Sequence, residues 1–163
     1  MQQLTYVKRG QLAWQEVPEP VLQGEGDVLV RPFVVARCDL DIPILYGKTF
    51  FRGPFAFGHE FIAEVVAIGE GVQSVQVGQQ VIVPFQVACG VCKRCQKGVS
   101  NSCLEVPDMS HYGMGHDNWG GALSDLVRVP YADAMLLPVP ATTCLMPGVP
   151  SDPICRRMPT KMC

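Results

Sequence analysis

Cys89-Gly90-Val91-Cys92-Lys93-Arg94-Cys95, closed by Cys103, is the stretch on which the reading of this chain turns. Its four thiols are spaced by two, two and seven residues. A structural Zn²⁺ takes four ligands at tetrahedral corners, and a Cys₄ set with short gaps is one of its standard forms. Two-residue gaps let a tight turn point neighbouring sulfurs inward, and the longer gap lets the chain loop back to close the cage. Gly90 and Gly98 supply the backbone freedom such a knuckle needs. Disulfides are the alternative use of these thiols, but they belong to oxidising compartments. The start, Met1-Gln2-Gln3-Leu4-Thr5-Tyr6-Val7-Lys8-Arg9, carries no apolar run of signal-peptide length. A reduced, cytoplasmic protein with a structural zinc lobe over residues 89–103 is therefore expected.

Around that lobe the chain is punctuated for short strands. Leu4–Val7 and Leu12–Val17 flank Gly10, and Pro18 and Pro20 end the unit. Strands are further expected over Asp27–Ala36, Phe61–Ile68, Val81–Val83, Ala122–Val129 and Met135–Leu137, with a single short helix over Leu40–Tyr46. The fold class is mostly β (α+β at most), barrel-like. The 163 residues are enough for one domain of ordinary size. From Ala141 the pattern dissolves: residues 141–163 hold four prolines, three cysteines and three methionines with no period of 2 or 3.6. That segment reads as an irregular tail.

Charge excludes some functions. With 13 basic and 15 acidic residues there is no basic surplus to hold a nucleic-acid backbone or an anionic membrane. No apolar stretch has the length of a membrane span. A zinc-ribbon nucleic-acid module would use two separated C-x-x-C pairs, which this cluster does not match.

A second metal set is sparser. Cys38 follows the third strand, and Gly58-His59-Glu60 comes 20 residues later. Cys and His are zinc ligands by type, and a catalytic zinc uses three protein ligands with one open position. By residue type alone the pair reads more readily as a small buried thiol and a satisfied core or loop histidine.

The order of several motifs decides the matter. Cys38-Asp39-Leu40-Asp41, Gly58-His59-Glu60, Gly69-Glu70-Gly71-Val72 and Val77-Gly78-Gln79-Gln80-Val81 all precede the four-cysteine loop. Trp119-Gly120-Gly121-Ala122 and Val127-Arg128-Val129-Pro130-Tyr131-Ala132-Asp133-Ala134 follow it. From about Val28 to Pro140 this succession resembles the N-terminal, GroES-like catalytic domain of zinc-dependent medium-chain alcohol dehydrogenases. The resemblance implies a GroES-like, partly open β-barrel over residues 1–140 with a Cys₄ zinc lobe. Cys38 and His59 would be ligands of a catalytic zinc, Asp41 the carboxylate that orients His59, and Glu60 an acid able to tune the metal or replace water on it. Cys89, Cys92, Cys95 and Cys103 would hold a structural zinc. The implied cofactors are one structural and one catalytic Zn²⁺ together with NAD or NADP. The implied activity is NAD(P)-linked oxidoreduction of a small alcohol or aldehyde, the zinc serving as Lewis acid.

The match has departures. Leu40 stands where the family commonly has Ser or Thr to begin a proton relay, and leucine carries no proton. Ala63 replaces a usual Gly. No G-x-G-x-x-G, the strand-to-helix phosphate turn of dinucleotide domains, occurs in the 163 residues. The expectation is thus a truncated catalytic domain, incomplete without its cofactor domain. The family's third ligand of the catalytic zinc comes from just beyond Pro140; Cys144, Asp152 and Cys155 lie in that region, but the tail around them does not resemble the family and none of them is assigned. The competing function is a non-catalytic, zinc-stabilised β domain, a truncation product or binding module. A zinc-free quinone reductase of the same superfamily is disfavoured, because that branch lacks the cysteine lobe. A homo-oligomer is left open. His111 and His116 read as exposed loop residues, and Trp14 and Trp119 as packing residues.

Overall fold

The computed structural model describes residues 1–114 and 119–140. The expected tail and the ligand candidates Cys144, Asp152 and Cys155 lie outside the described residues, as does His116. Two antiparallel sheets carry the fold. The first orders β1 (Gln2–Lys8) between β2 (Gln11–Glu16) and β4 (Phe55–Ala56). The second runs β7 (Val127–Val129), β3 (Val28–Val35), β5 (Phe61–Ile68), β6 (Gln80–Val83), β8 (Leu137–Pro138). The sheets stay separate, so the barrel is partly open. A single-residue bridge, Gln3 to Ser124, ties one to the chain that leads into the other.

Strand alternation places the core. In β5, Phe61, Ala63 and Val65 are buried while Glu64 between them faces out. Val28 and Val30 of β3 and Val81 and Val83 of β6 join them on the same inner face. Each valine fully removed from water stabilises the fold by about 1.5–3 kcal/mol. Pro32 has no amide hydrogen to give the ladder, and the β3–β5 register shifts between Pro32 and Val34. A second cluster, Tyr6, Ile44, Phe51, Phe55, Phe57 and Met114, packs against the three-stranded sheet. Tyr6 and Phe55 stack there with ring centroids 4.9 Å apart.

Several expectations need correction. The strand foreseen over Ala122–Val129 is regular only at Val127–Val129. Ala122 and Leu123 spend their amides on the carbonyls of Gly58 and Phe57, and Leu123 and Gln2 accept from Leu4 and Asp125, so that stretch weaves between sheets. Met135–Leu137 is divided: Ala132–Met135 forms the short helix α2, and only Leu137–Pro138 is strand. Ala and Met favour helix, and Tyr131 starts the turn from a left-handed backbone (φ 51°). The first helix is where it was expected, α1 at Asp41–Leu45. Trp14 does not pack, being 61% exposed on β2. His111 is not an exposed loop residue; its ring is half-buried and stacks on Phe85 at 5.1 Å.

Candidate metal centres

The cysteine lobe has almost no regular structure beyond two 3₁₀ turns, Cys95–Lys97 and Ser100–Ser102. What it has instead is a set of sulfurs facing one another. The Sγ atoms of Cys89, Cys92, Cys95 and Cys103 all lie within 4.8 Å of each other, with Cys89 and Cys95 3.9 Å apart. Sulfurs about 2.3 Å from a common tetrahedral centre would be about 3.8 Å apart. The cage therefore has zinc dimensions.

Backbone amides point at these sulfurs. Cys103 accepts from the Cys89 N–H at 3.3 Å, Cys89 from that of Cys92 at 3.3 Å, and Cys92 from those of Cys95 and Leu104, each at 3.5 Å. Hydrogen bonds of this kind favour the charged thiolate. The Cys95 amide, then that of Leu104, hold the Cys92 thiol down at about 6. Burial works against the Cys103 thiolate, but the Cys89 and Glu105 amides outweigh it and keep its pKa below the ordinary value. Burial and the adjoining Cys92 sulfur push Cys95 up to about 12. Four negative sulfurs cannot share one small volume without a cation. Gly90 closes the turn at φ 76°, where a side chain would collide with the Ala134 methyl.

The second centre is assembled over distance. β3 and β5 pair antiparallel up to Val35 opposite Phe61, and the Ala36 amide continues the ladder to the Glu60 carbonyl at 2.9 Å. That register brings the residues just beyond β3 beside those just before β5. Cys38 Sγ consequently lies 3.2 Å from His59 Nε2. The Leu40 amide donates to the Cys38 sulfur at 3.3 Å, and the Cys38 amide donates to Asp41 Oδ2 at 3.0 Å. Asp41 Oδ1 faces His59 Nδ1 at 3.5 Å. Both of those atoms are buried and find no hydrogen-bond partner among the described residues. A donor set of one thiol, one imidazole and one carboxylate within 4.8 Å suits a divalent metal. Glu60 is exposed and stands outside that trio. The Leu40 side chain packs with the Tyr6–Ile44 cluster, so hydrocarbon occupies the place where a hydroxyl relay would start.

Two features escaped the sequence. The amide-to-sulfur bonds leave no residue signature, because any residue can supply the N–H. The chain around His59 is also clamped by glycines distant in sequence, which only the folded backbone reveals.

The chain is also similar to known proteins. Residues 24–141 match the alcohol dehydrogenase GroES-like domain. The chain is 33% identical over 147 residues to a glutathione-independent formaldehyde dehydrogenase of Pseudomonas aeruginosa, covering 84% of this chain and 37% of that protein. It is 34% identical over 129 residues to zinc-type alcohol dehydrogenase B of Aspergillus flavus, covering 79% and 29%. Among solved structures, the alcohol dehydrogenase of Thermus sp. ATN1 superposes with a TM-score of 0.77 at 34% identity, covering 86% of this chain and 40% of that one. The chain thus spans well under half the length of the proteins it matches.

Proposed function

Because the chain belongs to the alcohol dehydrogenase GroES-like domain family, we propose that residues 1–140 are the zinc-bearing catalytic domain of an NAD(P)-linked oxidoreductase for small alcohols or aldehydes. The observation that carries this reading is the 3.2 Å approach of Cys38 Sγ to His59 Nε2 with Asp41 behind the imidazole. Cys38 and His59 are proposed as metal ligands, Asp41 as the group that holds the His59 ring, and Glu60 as an acid close by. Cys89, Cys92, Cys95 and Cys103 are proposed to hold a second, structural zinc in the 89–103 lobe.

A zinc ion at the Cys38–His59 centre would supply Lewis-acid polarisation of an alcohol or carbonyl oxygen. The chain's own contribution is orientation. The Leu40 amide donates to the Cys38 sulfur, and the Asp41 carboxylate faces His59 Nδ1 so that Nε2 is turned toward the thiol. Leu40 cannot pass a proton, so the substrate proton must leave by another route, for which the carboxylates of Asp39 and Glu60 are the candidates. NAD or NADP is the proposed hydride partner, and no G-x-G-x-x-G within the 163 residues offers to bind it. A cytoplasmic location belongs to the same proposal. Among the described residues no helix is long and apolar enough to cross a membrane.

The test is zinc per chain by native mass spectrometry. Two ions, one of them lost on His59→Ala, support the reading; a single ion that survives His59→Ala but not Cys103→Ser removes it. A second reading, a zinc-braced β domain without catalysis, is favoured by Leu40 at the relay position. Saturable NADH binding to this chain would exclude it.

A further inference from the structure

We infer that Gly113 is a positioning residue for His59: its backbone lies flush against the Gly58 peptide and so sets where the imidazole meets Cys38. The inference rests on the reading of Cys38, Asp41 and His59 as a metal centre.

Main chain closes on several sides of the Phe57–Gly58 strip that leads into His59. Phe57 donates its amide to the Leu4 carbonyl at 2.9 Å, and its own carbonyl accepts from Leu123 at 3.1 Å. The Gly58 carbonyl accepts from the Ala122 amide at 2.9 Å. On the remaining sides are two glycines from elsewhere in the chain. A Cβ on Gly121 would stand 2.5 Å from the Phe57 carbonyl oxygen. One on Gly113 would stand 2.5 Å from the Gly58 carbonyl carbon and 2.8 Å from its nitrogen, and closer still to its oxygen. Both obstacles are backbone, which does not rotate away as a side chain would.

The Gly113 side of this contact is itself held in place, so an added methyl there presses on the Gly58 peptide. Gly113 is anchored by its amide on the Gly120 carbonyl at 2.8 Å. Its neighbour Tyr112 is fully buried, with its amide on the Phe85 carbonyl at 2.8 Å and its ring edge-on to Phe61. Interiors packed this tightly transmit a displacement rather than absorb it. His59 hangs directly on the Gly58 carbonyl carbon. Metal-ligand distances tolerate only about 0.2 Å, so a shift of the Gly58 peptide is felt first as metal affinity. The cysteine cage takes none of its four ligands from this strip.

The experiment is a zinc titration of the metal-free full chain, read by native mass spectrometry beside thermal melting. Gly113→Ala is expected to weaken binding of the second zinc ten-fold or more while the first zinc and a cooperative melt remain. Gly78→Ala is the control. That glycine has φ +84° but open space around its missing Cβ, so it carries backbone strain without collision. It should leave both affinities as they are. Wild-type zinc affinity in Gly113→Ala, an equal loss in Gly78→Ala, or loss of both ions together would overturn the inference. Should Gly113→Ala fail to fold, Gly58→Ala decides. Gly58 sits at φ +93° and its Cβ would meet Ala122 and Leu123 at 3.1 Å, so the substitution strains the peptide that carries His59; selective loss of the second zinc supports the inference and an unchanged second site overturns it. A wild-type chain that binds one zinc only would instead sink the metal reading on which the inference stands, which is a separate result.

Discussion

The two candidate metal centres are built by opposite strategies. The cysteine lobe gathers four thiols from fifteen consecutive residues, holds them with main-chain amides, and has little hydrophobic body of its own. The Cys38–His59 centre draws ligands 21 residues apart in sequence, placed by the register of β3 against β5 over a valine-rich core. On the proposed reading, one centre needs its metal in order to be a structure. The other is a structure into which a metal fits. A cage of four sulfurs loses its organising charge without a cation, whereas the strand ladder keeps Cys38 beside His59 whatever is bound.

The sharpest way to break this contrast is Cys103→Ser. Structural zinc contributes about 10–16 kcal/mol of apparent binding free energy in small peptides, against about 5–15 kcal/mol for the net stability of a whole domain. Loss of one zinc and collapse of amide protection over 89–105 are expected in hydrogen exchange, with β3 and β5 still protected. Unchanged protection in the lobe would show that it stands without metal.

Next in size is Arg128→Ala, which tests the body that supports the second centre. The Arg128 guanidinium donates to Asp27 Oδ2 at 2.9 Å, and it lies over the Trp119 ring at 5.4 Å. Both partners of the ion pair are largely buried, and the same carboxylate oxygen also accepts from the Gln23 and Gly24 amides. Removing one member of such a pair costs about 3–5 kcal/mol. Chemical denaturation should show that loss with zinc still in the lobe; a change within error would mean that the amides alone satisfy Asp27.

His59→Ala should be milder still. It removes one zinc and lowers stability by no more than about 2 kcal/mol, the scale of one buried polar group left without its partner. A large drop in melting temperature would mean that this centre, too, depends on its metal for folding.

The smallest expected effect lies at Asp133→Asn on α2, beside the lobe. Asp133 accepts from the Ser74 amide at 2.8 Å and the Gln73 amide at 3.1 Å. Hydrogen bonds from Ser74, then the Gln73 amide, hold its pKa below the ordinary carboxylate value. A depressed folded pKa means a stabilisation present above the unfolded value of 3.8 and lost as pH falls through the lower folded one. The residue is exposed, so solvent screening limits the effect to less than about 1 kcal/mol. Wild type and variant should converge in stability under strongly acidic conditions; a gap that persists there would assign the contact to something other than charge.

The sequence by itself determined most of the strands and the membership of the cysteine cage. Alternation of small apolar residues with polar ones is a local property, and so is a set of thiols separated by two-residue gaps. It also pointed to Cys38, Asp41 and His59, through the order of motifs. What tertiary structure alone decided is how those three meet. A strand register and a clamp of main chain from Leu4, Gly113 and Ala122 around the Phe57–Gly58 strip are contacts between residues far apart in the chain, and glycines at close backbone approaches carry no pattern that names their partners. The same reason explains the misread elements. The amides of Ala122 and Leu123 were claimed by the segment before His59 rather than by a sheet neighbour, and Met135 ended a helical turn because Tyr131 began one. Local propensity proposes such segments; competition among distant hydrogen-bond partners settles them.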